Sequence, residues 1–90
     1  MEDFLKEIGI TADLQKTDNN TYTMDIPNSN AYGKIYSKLD NSDLVEEDIE
    51  SSQITYDNSS IQFTSDEYLI TLLADFNEDT YKLTIKTLEN

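Results

Sequence analysis

The sequence at residues 68–74 is YLITLLA, a run that is apolar on both faces of an extended chain. Such a run is typical of a central strand in a sheet. Neighbouring segments alternate apolar and polar residues, as half-exposed strands do. Their apolar positions are Ile54 and Tyr56, Ile61 and Phe63, and Tyr81, Leu83 and Ile85. Polar connections of hairpin length lie at 57–60, 65–67 and 77–79, so the last forty residues predict an antiparallel sheet.

Helical periodicity appears twice before residue 40. Residues 2–8 place apolar side chains on one helical face, and Gly9 follows as a helix stop. After Pro27, Asn28 or Ser29 can cap a second helix. Its apolar stripe is Ala31, Tyr32, Ile35, Tyr36 and Leu39.

Two further strands are predicted between the helices. Apolar and polar residues alternate over 10–16, including Ala12, and again over 20–26, with a turn between them. The simplest architecture is a single α+β domain spanning residues 1–90. It would have an antiparallel sheet of about five strands, with two helices packed on one face.

The charge of the chain limits its partners. Asp and Glu total 19 against six lysines, and the formal net charge is −13. Phosphate groups repel such a chain, so direct binding to nucleic acid or to an anionic membrane is disfavoured. We therefore expect a basic protein as the partner and a monomer in the free state. Residues 1–7 are acidic and lack the apolar run of a signal peptide, which favours the cytoplasm.

The residue types present leave little room for catalysis. His, Cys and Arg are all absent, which excludes Ser–His triads, thiolate nucleophiles, most transition-metal sites and bidentate phosphate clamps. Asp75, Asn77 and Asp79 match the first three ligand positions of a calcium loop, but Thr80 and Lys86 stand where such a loop needs Gly and Glu. We therefore predict neither an enzyme nor a cofactor.

Carboxylates on the surface remain as the functional feature. Side chains two residues apart on a strand share a face and repeat every ~6.6 Å, so acidic strands and loops can resemble a nucleic-acid backbone. The most acidic segment, residues 40–50, carries six acids, among them Asp43, Glu46 and Glu47. This pattern favours a DNA mimic, and the alternative is that the acidity only keeps the protein soluble.

Several short segments between residues 22 and 88 match a known protein family, with a gap needed between Tyr68 and Asp75. They are Met24 to Pro27, Ser42-Asp43, Tyr56-Asp57, Thr64-Ser65-Asp66 followed by Glu67-Tyr68, and Asp75 with Asn77. These segments resemble the phage-encoded uracil-DNA glycosylase inhibitor family. The resemblance implies a protein that occupies the DNA-binding cleft of uracil-DNA glycosylase.

That family also takes up an apolar side chain of the enzyme in a pocket between its second helix and its sheet. By resemblance, the pocket would be lined by Met24, Ala31, Ile35, Ile61, Phe63 and Leu72. All six also fit ordinary core positions, so both interpretations stand. Asp66 and Glu67 match the acidic turn of the family and would contact the enzyme.

The sequence departs from the family at two places. Asn20 and Thr21, with Asp18 nearby, stand where a family strand carries a contacting Glu, and Asn28 to Asn30 replace an acidic helix start. A shared mechanism would therefore require charge moved elsewhere, for example into residues 40–50. Other functions stay open: an anti-CRISPR protein, a restriction-enzyme inhibitor, or an immunity protein that neutralises a cationic toxin.

Overall fold

The computed structural model describes residues 1–11 and 13–88 and shows an α+β fold, as predicted. The helices and strands in chain order are α1 (Glu2–Ile8), β1 (Gln15–Asp18), β2 (Thr21–Ile26), α2 (Ser29–Asp40), β3 (Glu46–Glu47), β4 (Gln53–Ile54), β5 (Asn58–Thr64), β6 (Tyr68–Asp75) and β7 (Thr80–Thr87).

The strands form one sheet in the order β1-β2-β7-β6-β5-β3, and β4 also pairs with β5. All pairs are antiparallel. The run at 68–74 forms the inner strand β6, as predicted. The described residues contain seven strands instead of about five, because two two-residue strands pair with the outer side of β5. Pairs this short leave no alternation in the sequence.

Helix α1 ends and helix α2 begins as the sequence predicts. Gly9 adopts the left-handed conformation, with φ 98°, and its N–H group donates to the carbonyl groups of Leu5 and Lys6. Asn28 caps α2, since its side-chain oxygen accepts the N–H group of Ala31 at 2.8 Å.

Two predicted segments have the wrong bounds. The predicted strand over 10–16 begins only at Gln15, and Ala12 lies outside the described residues. Ile10 is buried, and its N–H group donates to Leu5 O at 2.8 Å, which closes the cap of α1. The predicted connection at 57–60 is mostly strand, because β5 already begins at Asn58.

The helices pack on the same face of the sheet, as predicted. The ring of Phe4 in α1 lies 4.7 Å from that of Tyr68, and the ring of Tyr36 in α2 lies 5.9 Å from that of Phe63. Phe63 pairs with Ile70, which pairs with Ile85, so the contacted side chains share one face. The fully buried side chains of the core are Leu5, Leu39, Phe63, Ile70, Leu72, Leu83 and Ile85.

The other face of the sheet carries mostly threonine, serine and lysine side chains. It includes Thr71 and Leu73 of β6, Thr84 of β7 and Thr23 of β2, and Leu73 is 38% exposed. β6 is therefore an inner strand with apolar residues on both faces, although the helices cover only one face of the sheet.

Candidate protein-binding surface

The six apolar residues assigned to a pocket by resemblance all belong to the core or pack against it. Ile61, Phe63 and Leu72 are buried core residues, at 8%, 1% and 0% exposure. The other three are partly buried and pack against this core: Met24, Ala31 and Ile35. A side chain of a partner could therefore touch Phe63 or Leu72 only if the core opened.

Four of the predicted polar contact residues meet at one end of the sheet. Thr87 and Leu88, at the end of β7, donate backbone hydrogen bonds to Asn20 O at 2.7 Å and to Glu67 O at 2.8 Å. Asp18 ends β1 beside Asn20, and Asp66 precedes Glu67 in an ordered turn. The hydroxyl oxygen of Ser65 accepts the N–H groups of both Glu67 and Tyr68, which fixes that turn.

The remaining predicted acids are Asp43, Glu46 and Glu47, of which the last two form β3 on the outer side of β5. Asp43 is exposed in the turn between α2 and β3. Glu46 pairs with Thr64 and Glu47 with Phe63, so their side chains lie on opposite faces of the sheet. The predicted acids are therefore spread over the end of β1, the turn before β3, the outer side of β5 and the turn after β5.

A loop replaces the edge strand between β3 and β4. The N–H group of Asp48 donates to Gln62 O at 2.8 Å, and the Gln62 N–H group donates to the hydroxyl oxygen of Ser52 at 3.0 Å. Ser52 also donates its own N–H group to Asp48 O at 3.1 Å. Both ends of the loop are thus held at Gln62, and the residues between them, Ile49 to Ser51, extend outward from the sheet.

We define the β5 edge as residues 46–57, which run along the outer side of β5. It carries five acids and no lysine: Glu46, Glu47, Asp48, Glu50 and Asp57. More broadly, twelve acids and no lysine lie between Leu39 and Tyr81. The lysines lie on other elements, such as Lys34 and Lys38 on α2 and Lys82 and Lys86 on β7.

The β5 edge also carries exposed apolar side chains. Tyr56 is 98% exposed, Ile49 75% and Ile54 73%, and these are the most exposed large apolar residues of the described chain. The sequence pattern does not reveal this exposure, because Ile54 and Tyr56 alternate with polar residues in the same way as residues of a half-buried strand. Only the pairing of β5 reveals that both residues lie outside β5, which is the last long strand on this side of the sheet.

Three tyrosines have a pKa above the ordinary value of this side chain. Burial raises the pKa of Tyr36, and its hydrogen bond to Glu47 raises it further. Burial, with a smaller contribution from the charge of Glu67, raises the pKa of Tyr68. The hydrogen bond to Asp79 raises the pKa of Tyr81. All three shifts keep the tyrosine neutral, so they indicate packing and hydrogen bonding to carboxylates.

The partial calcium loop forms the β6–β7 turn. Asp75 Oδ1 accepts the N–H groups of Asn77 and Glu78, each at 3.1 Å, and Asp79 Oδ1 accepts the hydroxyl group of Tyr81 at 2.8 Å. Within residues 1–11 and 13–88, no three or more acidic side chains are grouped to hold a metal ion.

The described residues include no helix that is long and apolar enough to span a membrane.

No protein-family model, curated protein sequence or solved structure matches the chain.

Proposed function

We propose that this protein is an inhibitor that binds the DNA-binding cleft of a nucleic-acid enzyme in place of DNA. The proposal is supported chiefly by the row of carboxylates on the β5 edge. From Thr64 to Asn58, β5 rises by about 20 Å. Five acids accompany it over this length, whereas one strand of B-DNA carries about six phosphates over the same distance. The linear charge of the edge is therefore close to that of one DNA strand.

The rest of the molecule adds to this field. The net charge of −13 belongs to a chain of 90 residues, and the lysine-free segment between Leu39 and Tyr81 concentrates negative charge around β5. A cleft lined by lysine and arginine attracts such a surface, which speeds the encounter of the two proteins. The sequence needs no cofactor for this function, and the inhibitor would act as a monomer in the cytoplasm of a bacterial host.

The specific target that we propose is uracil-DNA glycosylase. This step depends on the resemblance of residues 22–88 to the inhibitor family of that enzyme. Asp66 and Glu67, which match the acidic turn of the family, are exposed and available for contact. Because Phe63 and Leu72 belong to the packed core, we base the proposal on the charged surface and leave the apolar pocket out of it.

The test is an activity assay with purified components. Bacterial uracil-DNA glycosylase acts on a uracil-containing oligonucleotide in the presence of increasing amounts of this protein. We expect stoichiometric loss of base excision, and weaker inhibition by a variant carrying Glu46→Gln, Glu50→Gln and Asp57→Asn. These three side chains are exposed, so the variant should fold normally.

Full glycosylase activity at a large molar excess of folded protein would reject the named target. The same assay format with a restriction endonuclease or a CRISPR nuclease would then test the broader class of function.

A further inference from the structure

The β5 edge combines its five acids with the three most exposed large apolar side chains of the described residues. We propose that Ile49, Ile54 and Tyr56 contact the partner directly, at positions where DNA would present its bases. The partner surface would then hold apolar or aromatic side chains between its lysines and arginines. This inference rests on the proposed function and adds the surface through which it operates.

The backbone that carries the three side chains is hydrogen-bonded to β5. Ile54 pairs with Ser59, and the loop that carries Ile49 is bonded to Gln62, three residues further along β5. These two points are therefore about 10 Å apart along the edge. Tyr56 lies in a turn closed by the N–H group of Thr55, which donates to Asn58 O at 2.8 Å. Because the backbone is already ordered, binding would cost little additional entropy.

The charge around these side chains selects the partner. Asp48 and Glu50 flank Ile49, and Asp57 follows Tyr56. Carboxylates at these positions repel an acidic surface, including a second copy of this chain, and attract a basic one. Clefts that bind nucleic acid combine basic residues with aromatic residues that stack on bases. Such a cleft complements both parts of the β5 edge.

Protection of the sheet edge explains only part of this arrangement. Charged residues and an interrupted strand at an edge prevent pairing with another sheet, and Glu46, Glu47 and the loop at 48–52 serve that purpose. Protection gives no reason for exposing two isoleucines and a tyrosine, since apolar side chains at an edge favour association. Contact with a partner accounts for them.

The experiment uses two synthetic peptides as probes and follows the amide chemical shifts of the isotope-labelled protein. One peptide is rich in lysine and contains tryptophan and leucine, and the other has the same charge with serine in their place. We expect the apolar peptide to shift the amides of residues 48–57 and to bind about tenfold more tightly than the serine peptide. The double variant Ile54→Ser, Tyr56→Ser should remove this difference.

Leu88→Ser is the matched control, because Leu88 is an exposed apolar residue beside Glu67, away from the β5 edge. This variant should keep the preference of the wild-type protein. Equal binding of the two peptides to the wild-type protein, or shifts centred on Asp66 and Glu67, would overturn the inference.

The glycosylase assay with the same variants separates this inference from the proposed target. Inhibition that the double variant retains in full would show that Ile54 and Tyr56 are not contacts and would overturn the inference, while the inhibitor function stands. Peptide binding at residues 48–57 without any inhibition of the glycosylase would support the surface and reject the named enzyme.

Discussion

The hydroxyl group of Tyr36 donates a hydrogen bond of 3.1 Å to Oε1 of Glu47. This bond joins the middle of α2 to β3, the strand that begins the β5 edge. The ring of Tyr36 also packs against Phe63, with 5.9 Å between the ring centroids. One side chain of the acidic edge is therefore fixed to the core, whereas its neighbour Glu46 is exposed.

Replacing Tyr36 with Phe should lower the free energy of unfolding by about 1 kcal/mol, because the hydrogen bond is partly buried and the ring is retained. Urea unfolding followed by circular dichroism measures the change. Tyr56→Phe is the control for the same chemical change at a fully exposed position, and we expect it to alter stability by less than about 0.5 kcal/mol. A Tyr36→Phe protein as stable as the wild type would show that the bond contributes nothing.

The same tyrosine predicts how stability depends on pH. Burial and the bond to Glu47 raise the pKa of Tyr36 above its ordinary value of 10.0, so the folded state holds the proton more tightly than the unfolded state. Its contribution is therefore fully present below about pH 10 and is lost as the pH rises through the folded pKa. We expect the free energy of unfolding to fall above about pH 10, and to fall less steeply in Tyr36→Phe. Parallel curves for the two proteins would contradict this assignment.

The sequence predicts the inner part of the fold well and its outer edge poorly, and pairing explains the difference. The periodicity of residues 29–40 and 68–74 reports directly which side chains face the core, so α2 and β6 were predicted. In the edge at 46–57 the alternation of Ile54 and Tyr56 with polar residues does not report burial, because both are exposed. This segment is held instead by backbone bonds to β5 and by the hydroxyl group of Ser52. Periodicity also placed Phe63 and Leu72 on the correct face, but it could not distinguish a closed core from a pocket.

The two glycines should respond in opposite directions to replacement by Ala. Gly33 lies within α2 with no atom within 4 Å of an added Cβ, so Gly33→Ala should stabilise the protein by about 0.5–1 kcal/mol. Gly9 has φ 98° at the end of α1, where a Cβ is strained, so Gly9→Ala should destabilise it by about 1–2 kcal/mol. Chemical denaturation of both variants measures these changes. A loss of stability in Gly33→Ala would show that the exposed face of α2 has a further constraint.

Calcium should not stabilise the protein. Asp75 Oδ1 already accepts two backbone N–H groups and Asp79 Oδ1 accepts the hydroxyl group of Tyr81, while the ligand that normally closes a calcium loop is replaced by Lys86. We expect the melting temperature to be the same in micromolar calcium and in excess chelator. Magnesium at the same concentration controls for general screening of charge. A rise specific to calcium would mean that the β6–β7 turn rearranges to bind the ion.

Association with the glycosylase should depend on the two acidic groups to different extents. Neutralising Glu46, Glu50 and Asp57 removes three charges from the β5 edge, and neutralising Asp66 and Glu67 removes two from the turn between β5 and β6. Exposed charges act mainly on the association rate, so each variant should associate more slowly and show a weaker dependence on salt. If the edge occupies the cleft, its variant should lose more association rate per charge removed than the turn variant does.

Stopped-flow or surface-based kinetics over a range of salt concentrations measures the association rate of each variant. Asp3→Asn in α1 serves as a control that removes an exposed charge outside the edge. Equal losses per charge in all three variants would indicate that only the net charge of the molecule guides the encounter, with no preferred surface.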